Sequence, residues 1–252
     1  MANTMEFHRK MLIEVSASRI TGNNCSMNRG QKTAITLILS ASFALSLTTS
    51  QVAATPTITN LMLETTLKSL KLPVGTVDGK WDGNSQRAIC AWREMTGRSP
   101  SRKTPTIADR EAIAATTALK VRTYFRLGMN INRTCQTGTW IKLDPITKAK
   151  RINAVWPVST GRPGYETPSG RFTIRWQLNK WHESSIYEGA MMYRPKYFAP
   201  SVALHGSFTD SLVRTYPDSH GCVRMLHSSI DALWRAHFDV GSPVFVYGVW
   251  VA

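Results

Sequence analysis

The chain has 252 residues, a formal net charge of +15 and a hydrophobic content of 42%. That length allows one large domain or two small ones with a buried core, and the composition is that of a globular protein. The positive charge favours polyanions, but the basic residues are scattered and no nucleic-acid-binding motif occurs. For an exported protein we therefore expect anionic wall polymers or membrane surfaces, and no nucleic acid, as electrostatic partners; the alternative is a basic surface that only keeps the protein soluble.

Residues 1–54 are predicted to be a leader and secretory signal peptide. A basic stretch precedes an apolar run from Ala34 to Leu47, and small residues suited to a signal peptidase end at Ala54. We expect cleavage near Ala54 and export to the periplasm or cell wall, with an uncleaved anchor as the alternative. A start at Met27 rather than Met1 would give a leader of ordinary length. The mature chain contains no candidate membrane span.

Residues 55–120 show the patterns of helices. Leucines at nearly helical intervals predict a helix over 59–72. Asn84 is the candidate cap of a second helix. Thr106 and Asp109 form a capping-box pattern that predicts a third helix over 107–119.

The segment from Val77 to Ala88 reads V-D-G-K-W-D-G-N-S-Q-R-A, and Trp92 follows it. This segment resembles the small three-helix peptidoglycan-binding domain, whose pattern is V-D-G-x-[FW]-G-x-x-[ST]-x-x-A followed by an aromatic residue. Asp82 stands where that family usually has glycine. The resemblance implies a peptidoglycan-binding-like domain over 55–120, and the alternative is a helical spacer without a ligand.

Residues 134–252 are predicted to form a mostly β domain, after a linker over 121–133. Ser228 or Ser229 is expected to cap a helix over 230–238. Short β-branched or alternating runs, separated by glycine and proline turns, predict strands. These runs are Thr139–Leu143, Ile152–Val158, Phe172–Trp176, Val202–His205 and Val244–Val249.

The heptapeptide from Ser219 to Met225, S-H-G-C-V-R-M, contains the chemistry of a thiol nucleophile. A cysteine attacks as its thiolate, a histidine transfers the proton, and a nearby cation lowers the thiol pKa. Two other interpretations exist for such a pattern. Cys222 could be a buried structural residue, or it could bind zinc together with His205 and His220.

The wider context of this motif resembles the L,D-transpeptidase catalytic domain. That family has H-G or H-S at the end of a strand and later [ST]-H-G-C-h-[RN]. Here His205-Gly206 precedes the Ser219–Arg224 segment, and upstream V-S-T-G from Val158 and T-P-S-G-R-F from Thr167 match two further pieces. The resemblance implies an α+β chain with two domains, a small three-helix module and a mostly β, sandwich-like catalytic domain.

The resemblance also implies a role for each residue of the motif. Cys222 is the expected nucleophile, and His205 is the expected proton donor and acceptor, with its ring oriented by the Gly206 carbonyl. His220, beside the nucleophile, remains open as an alternative base. The backbone N–H groups of Gly221 and Cys222 are expected to stabilise the oxyanion.

Further residues are expected to support the site. Ser219 would hold the turn, and Arg224 would bind substrate and favour the thiolate. The aromatic-rich segment Trp176–Pro200 falls where the family has a lid, so Met192 and Tyr193 are predicted substrate contacts. The alternative for this segment is ordinary packing of a β-hairpin.

Three cysteines follow the predicted cleavage site. An exported protein with an odd number of cysteines often has one disulfide and one free thiol. If Cys222 is the free nucleophile, parity leaves Cys90 and Cys135 to form a disulfide.

The resemblance implies a peptidoglycan L,D-transpeptidase that releases D-alanine from tetrapeptide stems and forms 3→3 cross-links. It implies no metal or organic cofactor, stem peptides as substrates and carbapenem-type β-lactams as inhibitors. One alternative is an L,D-carboxypeptidase, which uses water as the acceptor at the same site. Others are a catalytically silent peptidoglycan-binding protein and a cysteine endopeptidase, although endopeptidases typically place Cys before His.

Overall fold

A computed structural model describes residues 57–251. The predicted leader, the signal peptide and the alternative start at Met27 lie outside these residues. The described residues belong to one compact unit. Among them, no helix has both the length and the apolar character that crossing a bilayer requires.

The described chain contains three helices, then ten strands with a fourth helix before the last of them. The helices are α1 (Asn60–Ser69), α2 (Gly83–Met95), α3 (Ile107–Ala114) and α4 (His227–Arg235). The strands are β1 (Gly128–Asn132), β2 (Thr137–Leu143), β3 (Lys150–Ser159), β4 (Gly170–Thr173), β5 (Trp176–Gln177), β6 (Trp181–Glu183), β7 (Met191–Ala199), β8 (Val202–Gly206), β9 (Val223–Met225) and β10 (Pro243–Tyr247). Each predicted strand overlaps an observed one, although the run 172–176 is divided between β4 and β5.

The helix starts agree only partly with the sequence patterns. The predicted capping box is confirmed at α3, where Thr106 is the N-cap. At α2 the cap is Asp82 rather than Asn84, because the Asp82 carboxylate accepts the N–H of Asn84 at 2.8 Å. The predicted serine cap of α4 is wrong: the helix begins at His227, whose N–H is donated to the Asp210 carboxylate. Because Asp210 is 17 residues from His227 in the chain, the sequence around the start of α4 contains no pattern that predicts this contact.

The ten strands form one curled sheet in the order β4-β10-β1-β2-β3-β9-β8-β7-β5, with β6 paired to β7. The long strand β3 joins the two halves, since it pairs with β2 on one side and β9 on the other. One hydrophobic core contains buried residues of both halves, among them Ile131 and Val244 from one and Phe198 and Val223 from the other. The predicted sandwich-like domain is thus mostly β, but its layers belong to a single continuous sheet.

Strand β1 is a correction to the predicted domain boundaries, because it lies inside the predicted linker 121–133. It occupies an interior position between β10 and β2. Asn130 and Asn132 are buried, and their side chains hydrogen-bond to nearby backbone groups. Two asparagines in a five-residue strand concealed it from a search based on alternating hydrophobic residues.

Helix α2 packs directly against the sheet. A second hydrophobic core combines residues of the three N-terminal helices, such as Trp92, with Ile141 of β2 and Val155 of β3. The predicted disulfide between Cys90 and Cys135 is present, with the two α-carbons 5.3 Å apart. It joins α2 covalently to the turn between β1 and β2.

Candidate active site

Strands β8 and β9 place the predicted catalytic residues in one cleft. The two strands pair in parallel, with His205 opposite Arg224, and Cys222 immediately precedes β9. A cavity of about 380 Å³ opens here, and its lining includes residues from both strands and from the turn between 219 and 222. The predicted residues in the lining are Met192, His205, Ser219, His220, Cys222 and Arg224.

Cys222 is the cysteine of the described chain that lies outside the disulfide, and its side chain is partly buried. Its Sγ accepts the N–H of Ala203 at 3.4 Å and donates to the carbonyl of Ser201 at 3.6 Å. Burial raises the pKa of the Cys222 thiol, against smaller effects of the Ala203 N–H and the Arg224 charge, which lower it. The thiol is therefore protonated at neutral pH in this structure.

His205 is 6% exposed, and its Nδ1 lies 2.8 Å from the Gly206 carbonyl oxygen. A carbonyl oxygen only accepts, so Nδ1 carries the proton and Nε2 is left with a free lone pair. Burial lowers the pKa of His205 to about 4, and the Arg224 charge acts in the same direction. Both side chains are thus neutral at neutral pH, and the His205 imidazole has a lone pair available at Nε2.

The turn that carries Cys222 is held by its own residues. Gly221 has a φ of +115°, a conformation that strongly favours glycine. Ser219 Oγ donates to the Cys222 carbonyl and accepts the N–H of Gly221 at 3.1 Å. Because the Gly221 N–H is already engaged, the Cys222 N–H is the better candidate of the two predicted oxyanion donors.

Three buried polar side chains beneath this turn, Gln136, Thr160 and Thr167, form what we call the floor of the cleft. The Thr167 hydroxyl accepts the N–H of Gly161 at 3.0 Å and donates to the Gly221 carbonyl at 2.7 Å. The Thr160 carbonyl accepts the N–H of Ser219 at 3.1 Å. These bonds fix both sides of the turn.

Gln136 extends the floor to the disulfide. Its side-chain amide accepts the N–H of Thr160 and donates to the Thr160 hydroxyl, each at 2.8 Å. Its chain neighbour is Cys135, which is bonded to Cys90 of α2. Sequence reasoning noticed the motifs that contain Thr160 and Thr167 without assigning them a role. It missed Gln136, which no motif marks.

Arg224 lies beside Cys222 and makes a salt bridge with Asp218 at 2.9 Å. The loop that contains Asp218 is also held from the helical region, because buried Arg87 of α2 donates to the carbonyls of Arg214 and Val158. Burial is the main cause that lowers the pKa of Arg87, to about 9, so the guanidinium remains charged at neutral pH. Helix α2 therefore supports the catalytic turn through Arg87 as well as through the disulfide.

The loop 184–190 and strand β7 form the opposite side of the cleft. Met192 and Tyr197 cluster with Ala203, and Cys222 packs against them. Tyr193 does not reach the cleft: its hydroxyl donates to Asp231 of α4 at 3.0 Å. Successive residues of a strand point to opposite faces, so Met192 and Tyr193 cannot both face Cys222.

His220, the alternative base, is exposed at the mouth of the cleft. Its ring lies 4.4 Å from that of Tyr187 in the loop 184–190 and 4.9 Å from that of Tyr165, centroid to centroid. Partial desolvation and the charges of Arg162 and Arg224 lower its pKa. Within residues 57–251, no three His, Cys, Asp or Glu side chains are grouped as metal ligands.

Part of this chain is similar to known proteins. Residues 134–246 match the YkuD family, which is the L,D-transpeptidase catalytic domain. The search of curated proteins found no significant match. Two solved structures are an L,D-transpeptidase from Xylanimonas cellulosilytica (residues 123–326) and one from Stackebrandtia nassauensis, each 25% identical to this chain over 77% of its length.

The alignment covers 94% of the Xylanimonas cellulosilytica chain with a TM-score of 0.51. It covers 98% of the Stackebrandtia nassauensis chain with a TM-score of 0.47. The matched family segment begins after β1 and covers the other strands of the curled sheet almost completely, and it includes His205, Cys222 and Arg224. Residues 134–246 of this chain therefore belong to the YkuD family of L,D-transpeptidase catalytic domains.

Proposed function

We propose that the chain is a peptidoglycan L,D-transpeptidase that works through a thioester on Cys222. The observation that carries the proposal is the single cleft in which Cys222, His205 and Arg224 meet. A neutral thiol beside a neutral, oriented imidazole is the arrangement that general-base activation of a nucleophile requires. The family match of this segment supports the same chemistry.

In the acylation half, Cys222 Sγ attacks the carbonyl carbon at the L-centre of the diamino residue in a tetrapeptide stem. His205 Nε2 takes the thiol proton, and the Cys222 N–H stabilises the oxyanion of the tetrahedral intermediate. When the intermediate collapses, the peptide C–N bond breaks. His205 returns the proton to the amine, D-alanine leaves, and the stem stays on Cys222 as a thioester.

In the transfer half, the side-chain amine of a second stem attacks the thioester carbonyl. His205 takes a proton from the amine, the C–S bond breaks, and the proton passes to the Cys222 sulfur. The product is a 3→3 cross-link. Water in place of the amine would give the L,D-carboxypeptidase reaction from the same intermediate.

Arg224 has two roles in this proposal. Its charge lowers the pKa of Cys222 and thus opposes the effect of burial. Its guanidinium also lines the cleft, where a bidentate donor suits a carboxylate of the stem. Asp218 takes up part of this hydrogen-bonding capacity and fixes the orientation of the side chain.

The helical region is proposed to hold the enzyme on peptidoglycan, as its resemblance implies, and the chain is proposed to act after export. Its helices share a hydrophobic core with β2 and β3. A polymer bound by these helices would therefore lie at a fixed position relative to Cys222. Such fixed attachment raises the effective concentration of stems near the cleft.

The experiment is the release of D-alanine from a tetrapeptide stem, with and without an amine acceptor, by the wild type and by Cys222→Ser and His205→Gln. We expect the wild type to release D-alanine and to form a cross-linked dimer when acceptor is present. Cys222→Ser is expected to be inactive, and His205→Gln to lose about 10²–10⁴-fold in rate. Full activity of either variant would contradict the assigned roles. His237→Gln, at an exposed histidine outside the cleft lining, is the matched control and is expected to keep wild-type activity.

A further inference from the structure

Trp176 is a large aromatic residue that stacks on Tyr197, one of the residues lining the cleft, and the proposed reaction does not use it. It lies on the edge strand β5 and pairs with Tyr197 of β7. The residue is 45% exposed. Leaving so much of an aromatic surface in water forgoes part of its burial free energy, so the exposure needs an explanation.

The indole is held in one orientation by Tyr197. The two rings are stacked, with centroids 3.8 Å apart and planes 8° from parallel. His182 approaches the edge of the indole, with centroids 6.2 Å apart. One face of the indole is thus covered by Tyr197 and the other faces outward, which makes Trp176 a flat, pre-oriented apolar platform.

This platform is continuous with the site of reaction. Tyr197 is buried, belongs to the cluster against which Cys222 packs, and lines the cavity. Burial raises the pKa of Tyr197 to about 12, and the nearby Cys222 adds to the shift. Trp176 therefore lies one stacked ring beyond the wall of the Cys222 cleft.

We propose that Trp176 binds a sugar ring of the glycan strand that carries the stem peptide. This inference rests on the proposed function, in which the peptide of a peptidoglycan enters the cleft. Three extended residues between the reacting carbonyl and the sugar span about 10 Å, so the sugar reaches the rim of the cleft while the stem occupies it. A pyranose face presents polarised C–H groups, which suit the negative face of an indole, and keeps its hydroxyls in water.

A second exposed tryptophan provides a matched control. Trp181 is 41% exposed and pairs with Tyr193, on the other face of β7 from Met192. Its ring packs against those of Tyr193 and His227 instead of the cavity wall. Trp181 has similar size and exposure but no continuity with Cys222, so it is not expected to contact the glycan.

The test compares KM and kcat for a free tetrapeptide and for the same tetrapeptide attached to its disaccharide. Trp176→Ala is expected to raise KM for the disaccharide substrate by about three- to tenfold, with Trp176→Phe intermediate. KM for the free peptide and kcat for both substrates are expected to stay within about twofold. Trp181→Ala is expected to match the wild type.

Equal losses on both substrates would overturn the proposal, because Trp176 would then act only by supporting Tyr197. No loss on either substrate would overturn it as well. A wild type inactive on both would instead refute the proposed function, and direct binding then decides the inference. In that case, the binding of stem-free N-acetylglucosamine oligomers is measured by tryptophan fluorescence, and we expect a change for the wild type and for Trp181→Ala. If Trp176→Ala binds these oligomers as tightly as the wild type does, the role of Trp176 as a sugar platform is contradicted.

Discussion

The two sides of the Cys222 cleft are held together by different interactions. The floor consists of buried hydroxyl and amide groups, and Thr160 and Thr167 each bond to the backbone of the catalytic turn. The opposite side, with the loop 184–190, presents aromatic rings such as Tyr187, which is 36% exposed. Buried hydrogen bonds fix positions closely, whereas exposed ring contacts are easily exchanged for contacts with a ligand.

This difference suggests a division of labour. Changes in the floor should displace Cys222 and lower kcat, because the turn would lose its alignment with His205. Changes in the loop 184–190 should alter KM, because its exposed side chains would contact substrate without packing against Cys222.

The largest effect is expected from Thr167→Val, which keeps the shape of the side chain but removes the hydroxyl between Gly161 and Gly221. We expect kcat to fall by about 10–100-fold with KM little changed, since a small misplacement of the reacting atom is costly. Steady-state kinetics of D-alanine release would measure this. Thr147→Val, in an exposed turn far from the cleft, is the control, and an equal loss there would refute the specific role.

The pH dependence of kcat/KM should reflect the lowered pKa of the buried His205. Its pKa is lowered to about 4, so the imidazole remains neutral and able to accept a proton as the pH falls below 6.5. At pH 5 we expect about thirtyfold more competent base than an unperturbed histidine of pKa about 6.5 would give. A profile of kcat/KM against pH tests this, and an acid limb near pH 6.5 would contradict the buried, neutral His205.

Removal of the disulfide should weaken the floor from a distance. Cys90→Ser combined with Cys135→Ser is expected to lower the free energy of unfolding by about 2–4 kcal/mol. Because Cys135 adjoins Gln136, kcat is also expected to fall, by about two- to fivefold. Urea unfolding and kinetics at a temperature where both proteins are folded would separate the two effects. Unchanged kcat would show that Gln136 is held without the disulfide.

The smallest effect is expected on the exposed side of the cleft. Tyr187→Ala removes the ring that packs against His220. We expect KM for the stem to rise by about threefold with kcat unchanged. A large loss of kcat would instead show that the loop 184–190 takes part in the chemical step. The two sides of the cleft would then not differ in their effects on kcat and KM.

The sequence predicted which residues line the cleft better than it predicted the residues that support them. Cys222, His205 and Arg224 lie in short motifs, and the parity of the cysteines predicted the disulfide that the structure contains. Gln136 could not be found in this way, because its two bonds to Thr160 join residues that are distant in the chain.

The fold likewise contains elements that depend on contacts between residues distant in the chain, and local patterns did not predict these elements. Hydrophobic alternation predicted strands in both halves of the sheet but missed β1, whose Asn130 and Asn132 are buried with polar partners. The placement of Tyr193 could have been corrected from sequence alone, because Met192 is its neighbour in a strand and faces the other way. The start of α4 required Asp210, which only the folded chain brings to His227.

The most direct test of the central claim is intact-protein mass spectrometry after incubation with a carbapenem. Cys222 Sγ would open the β-lactam ring at its carbonyl and retain the whole inhibitor as a thioester. We predict a single adduct on the wild type and none on Cys222→Ala, with Cys90 and Cys135 still joined in both. The absence of an adduct on the folded wild type, or an equal adduct on Cys222→Ala, would contradict a nucleophilic Cys222.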